Sequence, residues 1–170
     1  MASNAPRIMI AGTGSGCGKT TVTLAVLRAM QRRKIPLAAF KCGPDYIDPM
    51  FHKAVLGIPS RNLDLFFISE REVRGQIVRS IPQNGLGVIE GVMGFYDGVS
   101  GTTDTASAAH LARETGTPAI LVVRPKGQSL SLAAMLSGFR NFAENTLCGV
   151  ILNGISDAMY PFYRDIVQKS

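Results

Sequence analysis

Short, continuously apolar segments alternate with longer amphipathic segments along this 170-residue chain, and this alternation constrains the fold more than any other feature. The apolar segments predict strands at residues 7–11, 36–40, 86–90, 118–123 and 148–153. The amphipathic segments predict helices at residues 19–33, 69–80, 105–115, 129–142 and 157–168. Continuously apolar strands separated by helices are typical of a parallel sheet that is covered on both faces. The sequence therefore predicts a doubly wound α/β domain, with a mostly parallel sheet between two layers of helices.

Composition narrows the class of protein further. Hydrophobic residues make up 46% of the chain and charged residues 18%, which is enough apolar material for a core and argues against disorder. The apolar runs are all far shorter than the roughly 20 residues of a membrane-spanning helix. The three cysteines follow neither a disulfide nor a zinc-site spacing. We therefore expect a cytoplasmic protein that does not enter a membrane.

The net charge of +6 suits an anionic partner without choosing among phosphates, polycarboxylates and nucleic acid. Basic residues cluster at positions 28–34, at the end of the first predicted helix. Cations at a helix C-terminus complement the helix dipole, and no nucleic-acid recognition motif accompanies them. We therefore expect that the chain does not bind nucleic acid.

A glycine-rich loop follows the first predicted strand, at residues 12–21, where the sequence reads GTGSGCGKTT. Gly18, Lys19 and Thr20 match the end of a P-loop, whose backbone N–H groups cradle phosphate oxygens at a helix N-terminus. In such a loop the lysine contacts the β- and γ-phosphates and the hydroxyl holds Mg²⁺. The strict pattern has glycine where this chain has Thr13, and Gly12 lies one residue too early. The loop predicts a nucleoside triphosphate site.

Carboxylates follow the next two predicted strands, at the sheet edge where ligands of such folds bind. Asp45 and Asp48 lie between two prolines, in what reads as a rigid, turn-forming loop. They are candidates for cation ligands, a general base or substrate contacts, and two aspartates that cap turns are the alternative. Glu90 ends an apolar strand, where an acidic residue is the usual partner of a P-loop Mg²⁺.

The glycine loop resembles that of dethiobiotin synthetase and its relatives, a group that includes the cell-division and partition ATPases and the cobyrinate amidotransferases. Partition-type ATPases carry a characteristic lysine five residues before the P-loop lysine, and this chain has Gly14 there. That departure disfavours a nucleotide-driven switch of the partition type. A small-substrate ligase like dethiobiotin synthetase remains an alternative, although it leaves the segment from Glu90 to Gly98 unexplained.

Three further segments resemble cobyrinate a,c-diamide synthases: KCGPDYIDP at residues 41–49 with His52, RNLD at residues 61–64, and EGVMGFYDG at residues 90–98. The resemblance extends from about residue 7 to residue 155. It implies that ATP phosphorylates the a and c carboxylates of cobyrinate in cobalamin biosynthesis, and that glutamine-derived ammonia then displaces the phosphate to form amides. The alternatives are a,c-diamidation of nickel sirohydrochlorin and the partition-type switch.

The resemblance also implies roles for individual residues. The residues that would hold Mg²⁺ are Thr20, Asp45 and Glu90. Those that would bind the nucleotide are Gly16, Gly18, Lys19, Thr20 and Thr21, with Asn153 at the adenine. Those that would take part in catalysis are Lys41, which neutralises charge near the γ-phosphate, and Asp48 and Asp97, which orient the reacting carboxylate or ammonia. Those that would line the substrate are Tyr46, Asp48, Asp97 and Ser129.

Two positions depart from the resemblance, because relatives commonly have aspartate where this chain has Arg124 and arginine where it has Gly154. The family's ammonia comes from a C-terminal glutaminase domain. We therefore expect residues 1–170 to be an ATP-binding amide-ligase domain, incomplete at its C-terminus, that works with a glutaminase domain of a longer protein. Alone it should bind ATP–Mg²⁺ weakly and be unable to use glutamine.

Overall fold

A computed structural model describes residues 5–45 and 47–168, and for residues 47–51 it describes the backbone only. Six parallel strands form one sheet in the order β3-β2-β4-β1-β5-β6. The strands are β1 (Arg7–Gly12), β2 (Leu37–Cys42), β3 (Ser60–Leu63), β4 (Leu86–Glu90), β5 (Ala119–Val123) and β6 (Leu147–Leu152). The five strands predicted from the apolar segments are all present, and the doubly wound α/β prediction is confirmed.

Six α-helices connect and follow these strands in the described part of the chain. They are α1 (Lys19–Arg32), α2 (Ile47–Leu56), α3 (Glu70–Ser80), α4 (Ala108–Thr115), α5 (Leu130–Asn141) and α6 (Tyr160–Gln168). The Ser69 hydroxyl caps α3 as its spacing predicts, because it accepts a hydrogen bond from the Glu72 N–H at 3.3 Å. Helix α4 begins three residues later than predicted, after Ser107 accepts from the His110 N–H at 3.1 Å. None of the helices within residues 5–45 and 47–168 is long and apolar enough to cross a membrane.

The prediction was wrong between residues 47 and 63, where it had no helix and no strand. The turn-forming loop ends at Asp45, and the chain from Ile47 onward is the helix α2. Pro49 is the third residue of that helix, in the first turn, where the missing proline N–H costs nothing. Strand β3 escaped prediction because it is only four residues long and three of them are polar, which an edge strand tolerates.

The core lies in two layers, one on each face of the sheet, because successive strand residues point to opposite faces. Ile10 and Val88 pack with Leu27 of α1 on one face. On the other face Met9 and Phe40 pack with residues of α3, α4, α5 and α6. Because the strands are parallel, the loops after β1, β2 and β4 meet at the edge formed by the carboxyl ends of these strands.

Candidate functional site

The conformation of the loop between β1 and α1 requires glycine at particular positions. Gly16 and Gly18 have φ angles of 74° and 99°, in the left-handed region that other residues rarely adopt. A Cβ on Gly18 would collide with the amide of Asn153, whose Nδ2 donates to the Cys17 carbonyl at 2.8 Å. Asn153 follows β6, so the predicted nucleotide-binding asparagine lies directly against the phosphate loop.

Gly12 explains the departure from the strict P-loop pattern. A Cβ at this position would lie 2.5 Å from the Cys17 sulfur and 2.9 Å from two carbons of the Lys19 stem. The Gly12 carbonyl also accepts a hydrogen bond from the Phe95 N–H at 2.8 Å. The lysine stem and the loop after β4 therefore both approach the backbone here, and the glycine displaced by one residue is required by packing.

Lys19 bridges the glycine loop and the loop that follows β4. Its buried ammonium donates to the carbonyl of Gly14 at 2.9 Å and to that of Met93 at 2.5 Å. Burial lowers the pKa of Lys19 from its ordinary value, and the nearby charge of Lys41 acts in the same direction. Thr20 and Thr21 begin α1 with it, so the predicted lysine and hydroxyls occupy the helix start expected of a P-loop.

Glu90 is the centre of a buried polar cluster. Its carboxylate is fully buried at the end of β4, and one oxygen accepts from the Thr20 hydroxyl at 2.6 Å and from the Lys41 ammonium at 3.1 Å. The other oxygen lies 3.0 Å from Nε2 of His52. Burial disfavours the charged form, but hydrogen bonds from His52, Thr20 and Lys41, with the Lys41 charge, outweigh it. The pKa of Glu90 is therefore held below its ordinary value, and the carboxylate is ionised at neutral pH.

The sequence analysis missed the role of His52, which it names only as part of the resemblance to the synthases. His52 is fully buried, and its Nδ1 lies 3.2 Å from the Ser60 hydroxyl. Helix α2 and strand β3 supply these two residues, and neither element was predicted. Apolar residues at positions 47, 50, 51 and 54 have helical spacing and could have revealed α2.

The donor set around Glu90 fits a magnesium ion. Thr20 offers a hydroxyl oxygen and Glu90 an ionised carboxylate, and oxygen ligands of this kind are those that Mg²⁺ prefers. The half-exposed Asp45 is near them, with one carboxylate oxygen 3.8 Å from the Lys41 ammonium. The three residues predicted to hold Mg²⁺ therefore converge around Lys41, which is itself a predicted catalytic residue.

Asp97 is fixed by the loop that follows β4. One carboxylate oxygen accepts from the Gly94 N–H at 2.7 Å, and a Cβ on Gly94 would lie 2.6 Å from the same oxygen. Glycine is therefore needed at position 94 to let Asp97 fold back on the loop. Asp97 lines a cavity of about 270 Å³ that the loops after β2, β3 and β4 enclose.

The remaining predicted site residues are placed less fully. Tyr46 lies outside the described residues, and Asp48 is in the first turn of α2 with only its backbone described. Ser129 is exposed immediately before α5, after the β5 loop. Which contacts these three make with a ligand stays a prediction.

The two departures from the family pattern turn out to be neighbours. The exposed Arg124 side chain lies over Gly154, where a Cβ would be 2.8 Å from the arginine Nε. Gly154 also has a φ of 67°, which favours glycine. Arg124, after β5, therefore packs directly over Gly154, after β6.

Comparison with known proteins adds a family to this geometry. The sequence profile of the CobQ/CobB/MinD/ParA nucleotide binding domain matches residues 8–169. The chain belongs to this family. Its membership confirms the nucleotide-binding P-loop domain that the glycine loop predicts.

Curated relatives confirm the resemblance to cobyrinate a,c-diamide synthases. The enzyme of that name from Gloeobacter violaceus is 48% identical over 87% of this chain and 33% of its own length. Those from Clostridium acetobutylicum and Salmonella typhimurium are 46% and 43% identical over 95% and 99% of this chain, and 37% of their own length in each case. The chain therefore spans about a third of the length of these relatives.

A solved structure confirms the fold alone. The kinase domain of the Escherichia coli tyrosine kinase ETK superposes with a TM-score of 0.61, over 93% of this chain and 71% of that domain, at 16% sequence identity. Such low identity carries no information about activity.

Proposed function

We propose that this chain is the ATP-binding, amide-forming part of a cobyrinate a,c-diamide synthase. The observation that carries the proposal is the buried, ionised Glu90, which receives hydrogen bonds from the P-loop Thr20 and from Lys41. It joins the phosphate loop to the two segments that resemble the synthases, at residues 41–49 and 90–98. The family also includes MinD- and ParA-type proteins, so membership alone does not decide the function. The relatives reported above are named as synthases, however, and their similarity extends over nearly the whole chain.

The proposed reaction activates a carboxylate and then replaces its oxygen by nitrogen. A carboxylate oxygen of cobyrinate attacks the γ-phosphorus of ATP, ADP leaves, and an acyl phosphate forms. Ammonia then attacks the acyl carbon, loses a proton, and inorganic phosphate leaves with the original carboxylate oxygen. The protein supplies position and charge for both steps rather than a covalent partner.

The proposed role of each residue follows from its location. Lys19 and Lys41 bring two ammonium groups to the edge where the phosphates would lie, and the backbone of Gly16, Gly18 and Thr21 would cradle them. Mg²⁺, held by Thr20, Asp45 and Glu90, would neutralise phosphate charge when bound. The remaining roles are those of the substrate side, with Asp48 and Asp97 orienting the reacting groups, Tyr46 and Ser129 lining the substrate, and Asn153 at the base.

Ammonia would come from elsewhere in a longer protein. The relatives are about three times as long as this chain, so we propose that a glutaminase domain outside these 170 residues hydrolyses glutamine. The 170 residues alone should then bind ATP–Mg²⁺ weakly and not use glutamine. We further propose a cytoplasmic enzyme without a nucleic-acid or membrane partner.

A substrate panel tests this proposal. The full-length protein that carries this segment is incubated with ATP, Mg²⁺, ammonia and, in turn, cobyrinate, nickel sirohydrochlorin and diaminopelargonate, and products are identified by mass. We expect two carboxyl-to-carboxamide conversions on cobyrinate and none in a Lys19→Ala variant. Conversion of nickel sirohydrochlorin alone would mean that this compound, and not cobyrinate, is the substrate. ATP hydrolysis that depends only on a partner protein would contradict the proposal that the protein is a ligase.

A further inference from the structure

An unusual concentration of exposed apolar side chains lies beside the site. Phe66 and Phe67 follow β3 and are 61% and 70% exposed, and Met93 and Val99, from the loop after β4, are 43% and 57% exposed. The two phenyl rings meet edge to face, with centroids 5.0 Å apart. These four residues, called here the apolar ledge, line the 270 Å³ cavity. Exposed apolar groups gathered in a cavity mark a place where a ligand or another surface binds.

The apolar ledge is continuous with the phosphate site. Met93 belongs to the ledge, and its carbonyl accepts the hydrogen bond from the P-loop Lys19. Asp97 lines the same cavity and folds back on Gly94, one residue after Met93. A ligand that rests on the ledge therefore lies against the same loop that the Lys19 ammonium contacts. This location favours a reacting ligand over a protein surface that docks far from the chemistry.

We propose that the apolar ledge binds one flat face of a macrocyclic, carboxylate-bearing substrate. This inference rests on the proposed function and names where its substrate binds. The phenyl rings of Phe66 and Phe67 offer the aromatic area that a conjugated ring needs, and the ring's anionic periphery extends toward Lys19 and Lys41.

Substitution of the phenylalanines tests the ledge in the full-length protein. The variants are Phe66→Ser, Phe67→Ser and the double change, and Val78→Ser, on the exposed side of α3, is the matched control. The dissociation constant of cobyrinate is measured by equilibrium dialysis with absorbance detection, and that of ATP with a fluorescent analogue. We expect the double variant to bind cobyrinate at least tenfold more weakly, with ATP affinity within twofold of that of the unmodified protein, and Val78→Ser to leave both affinities within twofold.

Unchanged cobyrinate affinity in the double phenylalanine variant would overturn the inference while leaving the proposed function intact. A parallel loss of ATP affinity, or a loss only of glutamine-dependent activity, would also overturn it, because the ledge would then stabilise the fold or contact the glutaminase domain. If the unmodified protein neither binds nor amidates cobyrinate, the proposed function and the inference both fail.

Discussion

Replacement of Glu90 by glutamine should destabilise the protein more than any other single carboxylate-to-amide change in the described part of the chain. Glu90 is fully buried, and Lys41 beside it is 4% exposed, so the substitution removes the carboxylate charge that lies 3.1 Å from a buried ammonium. Removing one partner of a buried ion pair costs about 3–5 kcal/mol. That is a large part of the 5–15 kcal/mol by which native proteins are typically stable.

Urea unfolding of the chain, followed by circular dichroism, measures this cost. With a urea slope of about 2 kcal/mol per molar, a loss of about 3–5 kcal/mol lowers the unfolding midpoint by about 1.5–2.5 M. Glu72→Gln is the matched control, because Glu72 pairs with Arg79 at 2.7 Å on the surface, where both side chains are more than half exposed. A surface pair contributes about 0–1 kcal/mol, so the control should shift the midpoint by less than about 0.5 M.

Lowering the pH should remove the difference in unfolding free energy between Glu90→Gln and the unmodified protein. The pKa of Glu90 is lowered in the folded state, so its ionisation stabilises the fold above the unfolded-state pKa, whose ordinary value is 4.5. That contribution is lost as the pH falls below 4.5 and through the folded-state pKa. The two unfolding free energies should therefore converge in that range. A difference that matches the Glu72→Gln control at pH 7, or that grows as the pH falls, would refute the reasoning.

Other substitutions test single contacts. His52→Leu should raise the Mg²⁺ concentration needed for half-maximal nucleotide binding at least fivefold, because Glu90 loses a hydrogen-bond donor. His52→Gln keeps a donor, so in the same titration it should stay close to the unmodified protein. Gly12→Ala should weaken binding of a fluorescent ATP analogue at least tenfold, since its methyl group meets the P-loop cysteine and lysine. Gly14→Ala is the control, because its Cβ has no neighbour within 4 Å. Gly154→Arg should lower the urea midpoint through collision with Arg124 and an unfavourable φ, and Arg124→Ala should recover part of that loss.

Each of these outcomes has a contrary result. Equal Mg²⁺ dependence in the leucine and glutamine variants of His52 would mean that its hydrogen bond does not position Glu90. Equal nucleotide affinity in the two glycine variants would mean that the backbone approach at Gly12 is unimportant. If Arg124→Ala recovers nothing, the two positions are not coupled.

The sequence predicted those parts of the fold whose pattern is local. Strands β1, β2, β4 and β5 are largely apolar because they lie inside the sheet and are mostly buried, and β6 is also largely apolar although it is an edge strand and only partly buried. The glycine loop fixes the start of α1. Strand β3, at the other edge, is mostly polar, because an edge strand is half solvated and its residues need not be apolar. Helix α2 was hidden by Pro49, which reads as a turn until its place in a first helical turn is known.

Site residues could be predicted where the residue type is unusual for its position in the sequence. They could not be predicted where the role of the residue depends on contacts with distant segments. A carboxylate that ends an apolar strand identified Glu90, and the P-loop pattern identified Lys19 and Thr20. His52 could not be assigned without α2 and β3, which bring it to Glu90. The apolar ledge could not be predicted either, because Phe66 and Phe67 look like core residues in the sequence and only the structure reveals that they are exposed.

Transfer of oxygen from substrate to phosphate tests the central claim most directly. Cobyrinate labelled with oxygen-18 in its carboxyl groups is incubated with the full-length protein, ATP, Mg²⁺ and ammonia, and the inorganic phosphate is analysed by mass spectrometry. An acyl phosphate formed at this site predicts that one labelled oxygen enters phosphate for every carboxamide formed, and that none does with Lys19→Ala. Carboxamide formation with unlabelled phosphate, or phosphate release without amidation, would contradict the account.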